Sequence, residues 1–318
     1  MKMPTQRTVL RYSSGAAFPL ELRAGARAVE RAMLIALMAS QLLSAQQISG
    51  ELKQWHDVVL TFDGPSTSES AHPNPFLFYR LNLTFTKGGR KYVIPGYYAA
   101  DGNAAETSAK SGNKWRVHFI PDETGEWQYS ASFRSGAEVA VSTDASAGKP
   151  LPPDGARGTL VIQPSDKSGR DHRAHGMLAY ANEHYARYRG SGKYFIQAGT
   201  QSPENFFAYH EFADTVDHGG AKNRLRDGVH RYEPHLKDWR TGDPVWQGGK
   251  GKGIIGALNY LAGKGMNTFY TVTMNINGDG QEIYPWTSYE ERARYDISKL
   301  AQWDIVMSHM DRLGMQLM

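Results

Sequence analysis

Between Trp55 and Gln163 the apolar residues recur at every second position in short runs, and this period narrows the folds open to the chain more than any other feature. Val58, Leu60 and Phe62 set the pattern, and Phe76 to Thr86 continues it with Leu81, Leu83 and Phe85 on one face. Gly88-Gly89 supplies a hairpin turn into Tyr92, Val93 and Ile94. Lys114 to Ile120 and Glu126 to Phe133 follow, split by the turn-forming Pro121 to Gly125, and Thr159 to Gln163 closes the set. A helix would repeat its apolar positions near every 3.6 residues, whereas period two puts alternate side chains on opposite faces of a strand. Short strands punctuated by Gly and Pro over roughly 110 residues predict an antiparallel β-sandwich of the Ig-like kind, placed at 50–163.

Pro164 to Gly176 is polar and without periodicity, and reads as a linker. Beyond it the pattern changes. A hairpin is expected around Gly190-Ser191-Gly192, delivering the apolar Tyr194-Phe195-Ile196, and a charged insert with several His residues runs from Ala213 to Gly249. Ile254, Ile255, Leu258 and Leu261 mark a helix ended by Gly263 and Gly265, and Thr268 to Ile276 reads as a buried strand. A second helix spans Tyr295 to Leu313, with Asp296 as N-cap and Gly314 as its stop, before a further apolar strand at Met315 to Met318. Strand, helix, strand, helix, strand is the rhythm of a parallel α/β fold, and alone it leaves a doubly wound sheet and a (β/α)-barrel both open.

The stretch Ala32 to Ala45 is the one sustained apolar run, shorter than the roughly 20 residues of a spanning helix. Arg23, Arg27 and Arg31 precede it and Ser44-Ala45 end it, a signal-peptide pattern within a leader over 1–47. The expectation is a secreted or periplasmic protein with no membrane span. The net charge of +4 is spread among interleaved acidic and basic residues, so no nucleic-acid partner is expected. The absence of Cys rules out disulfides, thiolate metal sites and a cysteine nucleophile.

Several long stretches carry a resemblance. Trp55 to Glu69 (WHDVVLTFDGPSTSE), Asn74 to Phe85, Val93 to Tyr98 (VIPGYY), Ala100 to Thr107 and Trp115 to Tyr129 (WRVHFIPDETGEWQY) are similar to a family of uncharacterised N-terminal domains. Those domains precede bacterial barrels assigned to the glycoside hydrolases. Gly199 to Tyr209, Gly248 to Met266 and Ile283 to Thr287 resemble the start of that barrel. The resemblance covers about residues 50–318. It implies a multidomain β plus α/β protein: an Ig-like antiparallel β-sandwich, then the first part of a (β/α)8, TIM-like barrel over 177–318, truncated. It also implies a glycoside hydrolase acting through paired carboxylates. The acid/base at the fourth strand and the nucleophile at the seventh are expected beyond Met318, so no catalytic residue is assigned within the chain.

Strand ends that survive such a cut supply binding groups. Glu204 and Asn205 follow the first strand and Asn275 and Asp279 the second, where amides and carboxylates can hydrogen-bond sugar hydroxyls. Trp286, with Tyr284 nearby, can stack on a pyranose face; helix capping for Glu204 and loop packing for Trp286 are the structural alternatives. The expected partner is a polysaccharide or oligosaccharide, with no cofactor and no metal. Gly251 to Gly256 fits a dinucleotide fingerprint but no strand precedes it. Asn275, Asn277 and Asp279 imitate a calcium loop, but Trp286 stands where its glutamate belongs. The His residues have no tight metal spacing, and His56 and His118 read as structural. Trp115 and Trp127 read as core, or else as a sugar platform if they share an exposed face with Tyr97 and Tyr98. That platform would make the protein a non-catalytic carbohydrate-binding or adhesion protein. A lyase would instead need a Tyr or His base and clustered arginines, for which Arg187, Arg189, Arg224 and Arg226 are available.

Overall fold

The computed structural model describes residues 46–200, 203–220, 228–275 and 281–318, which lie in one compact unit. Residues 1–45, with the apolar run, fall outside the described residues, and so do Asp279, Asn277, Arg224 and Arg226. Gln46 and Gln47, expected at the end of the leader, belong instead to a strand, paired with Phe62 and Thr61.

The period-two region forms two facing antiparallel sheets. The first has the order β1-β2-β6-β5, from β1 (Gln46–Gly50), β2 (Val58–Ser68), β6 (Ser111–Phe119) and β5 (Tyr97–Tyr98). The second runs β4-β3-β7, from β4 (Arg90–Pro95), β3 (Tyr79–Lys87) and β7 (Gly125–Ser135). Short β8 (Lys149–Pro150) and β9 (Arg157–Ile162) both pair with β7. Val58, Leu60, Phe62, Trp115, Val117 and Phe119 of the first sheet face Leu81, Leu83, Phe85, Trp127 and Phe133 of the second, all buried. Phe85 and Phe119 stack across the gap with centroids 3.9 Å apart. Phe76 to Phe78, expected as the start of a strand, belong instead to a single helical turn (α1, Pro75–Phe78) capped by Asn74, because Pro at the first position favours helix entry. A second short turn, α2 (Ala104–Thr107), follows β5.

Gly96 makes the crossing between sheets. Its N–H donates to Leu81 O at 2.7 Å. A Cβ there would lie 2.7 Å from the Leu81 side chain and 2.8 Å from Arg116 O, so only glycine lets β4 hand the chain to β5 at this spacing.

The segment 164–176 runs back along the sandwich. Asp166 pairs with Lys53 at 2.6 Å, Lys167 with Glu51 at 2.9 Å, and Ser165 Oγ lies 3.1 Å from His56 Nε2. A hairpin of β10 (Leu178–Ala179) and β11 (Arg187–Tyr188) follows.

The barrel expected over 177–318 does not form. Among the described residues regular structure is mainly antiparallel sheet, with 18% helix. Beyond the hairpin there is one three-stranded parallel sheet, β12 (Gly199–Thr200), β13 (Thr268–Phe269) and β14 (Gln316–Leu317), each strand two residues long. A closed (β/α)8 barrel requires eight tilted strands. Of the run expected as a long strand, Thr268 and Phe269 alone pair in register among the described residues, and by Thr271 the chain turns away, its Oγ1 and the Val272 N–H donating to Glu204 O at 2.7 and 2.9 Å. The described part of 203–246 holds turns and a 3-10 segment, Glu233–Asp238, and no strand.

Two helices do form where apolar spacing and caps predict them. α3 (Lys252–Gly263) buries Ile254, Ile255 and Leu258. Its Gly253 and Gly256 lie against the backbone of Arg231 and His235, so the G-x-G-x-x-G spacing serves close helix packing. α4 (Ile297–Leu313) starts at Asp296, whose carboxylate accepts from Lys299 N at 2.9 Å, and ends on Gly314 in the left-handed conformation. Trp303, Val306 and Met310 of α4 join Phe207, Phe212, Trp246 and the α3 residues in a second core.

Candidate functional site

Strand alternation sorts side chains to the two faces of the first sheet. In β6, Trp115, Val117 and Phe119 point into the sandwich, so Arg116 and His118 take the outer face. Register pairs Arg116 with Tyr97 of β5 and with Thr61 of β2, and sets Val59, two positions from Asp57, opposite His118. The outer face therefore carries a ladder of polar groups: Asp57, Thr61, Arg116, His118 and Tyr97.

Helix α4 closes over this ladder. Ile297, Leu300, Ala301, Asp304 and Met307 recur at helical spacing on its near side, while Trp303 lies at their edge toward the second core. Between helix and sheets is a cavity of about 800 Å³, whose rim also takes in Phe76, Tyr79, Asn82, Tyr295 and the loop at 140–145. That volume lies in the range of small-ligand sites, roughly 300–1,000 Å³.

His118 links two groups. Its Nδ1 lies 2.6 Å from Asp57 Oδ2 and its Nε2 2.8 Å from the Tyr97 hydroxyl. A carboxylate only accepts, so Nδ1–H donates to Asp57, and in the neutral ring Nε2 accepts from the tyrosine O–H. Burial works against charge on the imidazole, but the Asp57 hydrogen bond and charge outweigh it, and the His118 pKa is raised. The Tyr97 phenol is pushed up to about 12, by burial first and then by the Asp304 charge. Yet 42% of Tyr97 is open to solvent. Both facts hold because the open surface faces a cavity that protein surrounds. Asp304 is in the same position: exposed, yet raised in pKa by burial, with His118 drawing it partly back.

The cavity's charges are unequally engaged. Arg80 donates to the carbonyls of Ser142, Asp144 and Ala145 at 2.9–3.0 Å. Arg116 donates from Nε to Thr61 Oγ1 at 3.2 Å and from Nη2 to Gly102 O. Asp304 has no hydrogen-bond or ion-pair partner among the described residues, and it is the one carboxylate in the cavity lining.

The residues singled out in the sequence fall elsewhere. Glu204 and Asn205 lie in a turn after β12, where Glu204 O meets the chain leaving β13 and Asn205 Oδ1 lies 2.8 Å from His230 Nε2. Asn275 is 4% exposed, and neither polar atom of its side chain has a partner among the described residues. Trp286 is half-buried with its indole N–H unpartnered and the Arg292 guanidinium 5.9 Å from its ring centroid. Backbone pairing joins Trp286 to Tyr295, which reaches the cavity rim, while Glu204, Asn205 and Asn275 do not line it. The four-ring sugar platform also dissolves: Trp115, Trp127 and Tyr98 are core residues and Tyr97 alone is open. Arg187 is held by Glu183 at 2.8 Å and by Tyr194, away from the cavity. Sequence reading passed over Asp57 and Asp304 and took His118 as structural. The signal present was period two, which sets Arg116 and His118 opposite the buried Trp115 and Val117.

Among the described residues no three His, Asp or Glu side chains converge as a metal site, and no helix is long and apolar enough to cross a membrane.

Residues 51–134, which include Asp57, Tyr97, Arg116 and His118, match a family described as a domain of unknown function (DUF5060). No curated protein matches the chain. Among solved structures the chain is similar to the crystal structure of a candidate glycoside hydrolase from Bacteroides vulgatus ATCC 8482. The identity is 19% and the TM-score 0.49, over 83% of this chain and 40% of that one. The chain thus spans less than half the length of that protein.

Proposed function

We propose that this chain binds carbohydrate in the cavity between the outer face of the first sheet and α4, as the recognition part of an exported glycan-hydrolysing protein. The observation that carries the reading is the pairing of open aromatic surface with an unengaged carboxylate in one enclosed space. Tyr97 and Tyr295 keep 42% and 39% of their surface open, and Asp304 stands among them with no hydrogen bond to its carboxylate from the described residues. A sugar ring has apolar C–H faces, which lie against aromatic rings, and hydroxyls, which donate to carboxylates.

The same geometry supports binding over bond cleavage as the role of these residues. Glycoside hydrolysis needs two carboxyl groups flanking the glycosidic bond. Asp304 is the one carboxylate in the lining, and Asp57 is engaged by His118. In this reading the paired carboxylates belong to other residues of a longer protein.

The test is calorimetry of the full chain against a panel of neutral, acidic and amino oligosaccharides, with Tyr97→Ala and Tyr295→Ala. Binding to at least one class, weakened tenfold or more by either variant, is the expected result. Absence of binding to every class, or binding indifferent to both variants, overturns the assignment.

A further inference from the structure

We infer that the cavity selects a neutral sugar carrying adjacent free hydroxyls, and disfavours uronate, sulfated and amino sugars; this rests on reading the cavity as a glycan site. The selection follows from which charges in the cavity are already satisfied and which are not.

An anionic sugar calls for a guanidinium with a free edge, because recognition of carboxylate or sulfate by arginine is a two-bond clamp. Neither arginine at the cavity offers its side-on edge. Arg80 has both terminal nitrogens on backbone carbonyls of the 142–145 loop. Arg116 has Nε and Nη2, the pair that grips a carboxylate side-on, on Thr61 and Gly102. The charge left open is negative: Asp304, close enough for its field to act on Tyr97 and His118. The guanidinium charges would draw an acid in, but with their side-on edges taken and Asp304 beside them its desolvated charge would go without a two-bond clamp.

An amino sugar meets the opposite difficulty. Its ammonium could pair with Asp304, but the guanidinium charges of Arg80 and Arg116 stay in the lining whatever their hydrogen bonds, and His118 adds a third basic group. A neutral ring avoids both penalties. Two adjacent hydroxyls can donate to the two oxygens of Asp304, using acceptors that no described residue fills. One side of Tyr97 is occupied by His118, ring centroids 5.6 Å apart and planes 22° from parallel. Its remaining open surface can take the C–H face of a sugar.

Calorimetry of the full chain with matched probes tests this: cello-, xylo- and galacto-oligosaccharides against oligogalacturonate and oligoglucosamine of equal length. The expected result is a neutral probe binding at least tenfold tighter than both charged ones. Asp304→Asn, nearly isosteric, should weaken the neutral probe about tenfold and narrow its margin over oligogalacturonate. Asp304→Ser serves as a second variant should the first fail to fold. Tighter binding of a charged probe, still abolished by Tyr97→Ala, overturns the neutral selection while leaving a glycan site in place. No binding by any probe removes the glycan site itself and the inference with it.

Discussion

The Tyr97 hydroxyl lies 2.8 Å from Nε2 of His118, and the two rings run nearly parallel, so one histidine both anchors and orients the aromatic surface that opens into the cavity. Behind it Asp57 holds the other ring nitrogen. Removing that carboxylate leaves burial as the dominant influence on the imidazole. Asp57→Asn is therefore expected to move the His118 midpoint from above 6.5 to below it, read by NMR titration of the ring C–H signals. The raised pKa also fixes a sign: the contribution of His118 to stability is fully present below about pH 6.5 and fades as pH rises through the folded midpoint. An unmoved midpoint in the variant would show that Asp57 is not the cause.

Glu69 is 3% exposed, accepts from Ile297 N at 2.7 Å, and titrates near 7, pushed up by burial and by the charge of Asp296. Its folded pKa exceeds the unfolded value of 4.5, so the folded chain holds the proton more tightly. Stability from this group consequently declines as pH climbs from about 4.5 to 7 and stays low above. Glu69→Gln keeps an acceptor for Ile297 and should flatten that decline, making the variant the more stable chain at pH 8 by at most about 3 kcal/mol. Urea denaturation of both chains at pH 5 and pH 8 decides it; equal slopes would reject the assignment.

Gly96→Ala is expected to cost about 2 kcal/mol, because the new methyl meets Leu81 and the Arg116 carbonyl inside van der Waals distance. Gly89→Ala is the control: open space surrounds that position and its φ is not positive, so its melting temperature should hold. Equal behaviour of the two would show that the sheet crossing tolerates a side chain.

Asn275 buries an amide without partners among the described residues, at an expected penalty of about 1–3 kcal/mol. Asn275→Leu, of similar volume, should raise the melting temperature of the free chain. A fall instead would mean that the amide is satisfied in solution.

The sandwich was legible because burial on one face writes period two directly into β2, β3, β6 and β7, and the two-residue turn between Lys87 and Arg90 fixes one register. Helices α3 and α4 were legible from apolar spacing, with Asp296 and Gly314 capping the second. β1 was missed because four of its five residues are exposed and its sequence carries no alternation. The barrel was overread: an apolar, β-branched run such as Thr268 to Ile276 promises a long strand, but pairing partners decide length, and this strand has them for two residues. The cavity lay beyond sequence reading for a different reason. Its polar ladder sits on the side of β6 that apolar pattern ignores, and Asp304 comes from a helix far along the chain.

That separation has a mechanical outcome. One wall of the cavity belongs to the first sheet and the other to α4, joined beside it by Arg294 donating to Glu69 O at 2.6 Å and Asn74 donating to Ala293 O at 2.8 Å. A molecule seated between the walls touches both, so its affinity is also an adhesive force between distant stretches of polypeptide. At a hundred times its dissociation constant a ligand adds about 2.7 kcal/mol to the folded state. The glycan would then act as a removable rivet, and heat resistance would become a gauge of sugar supply.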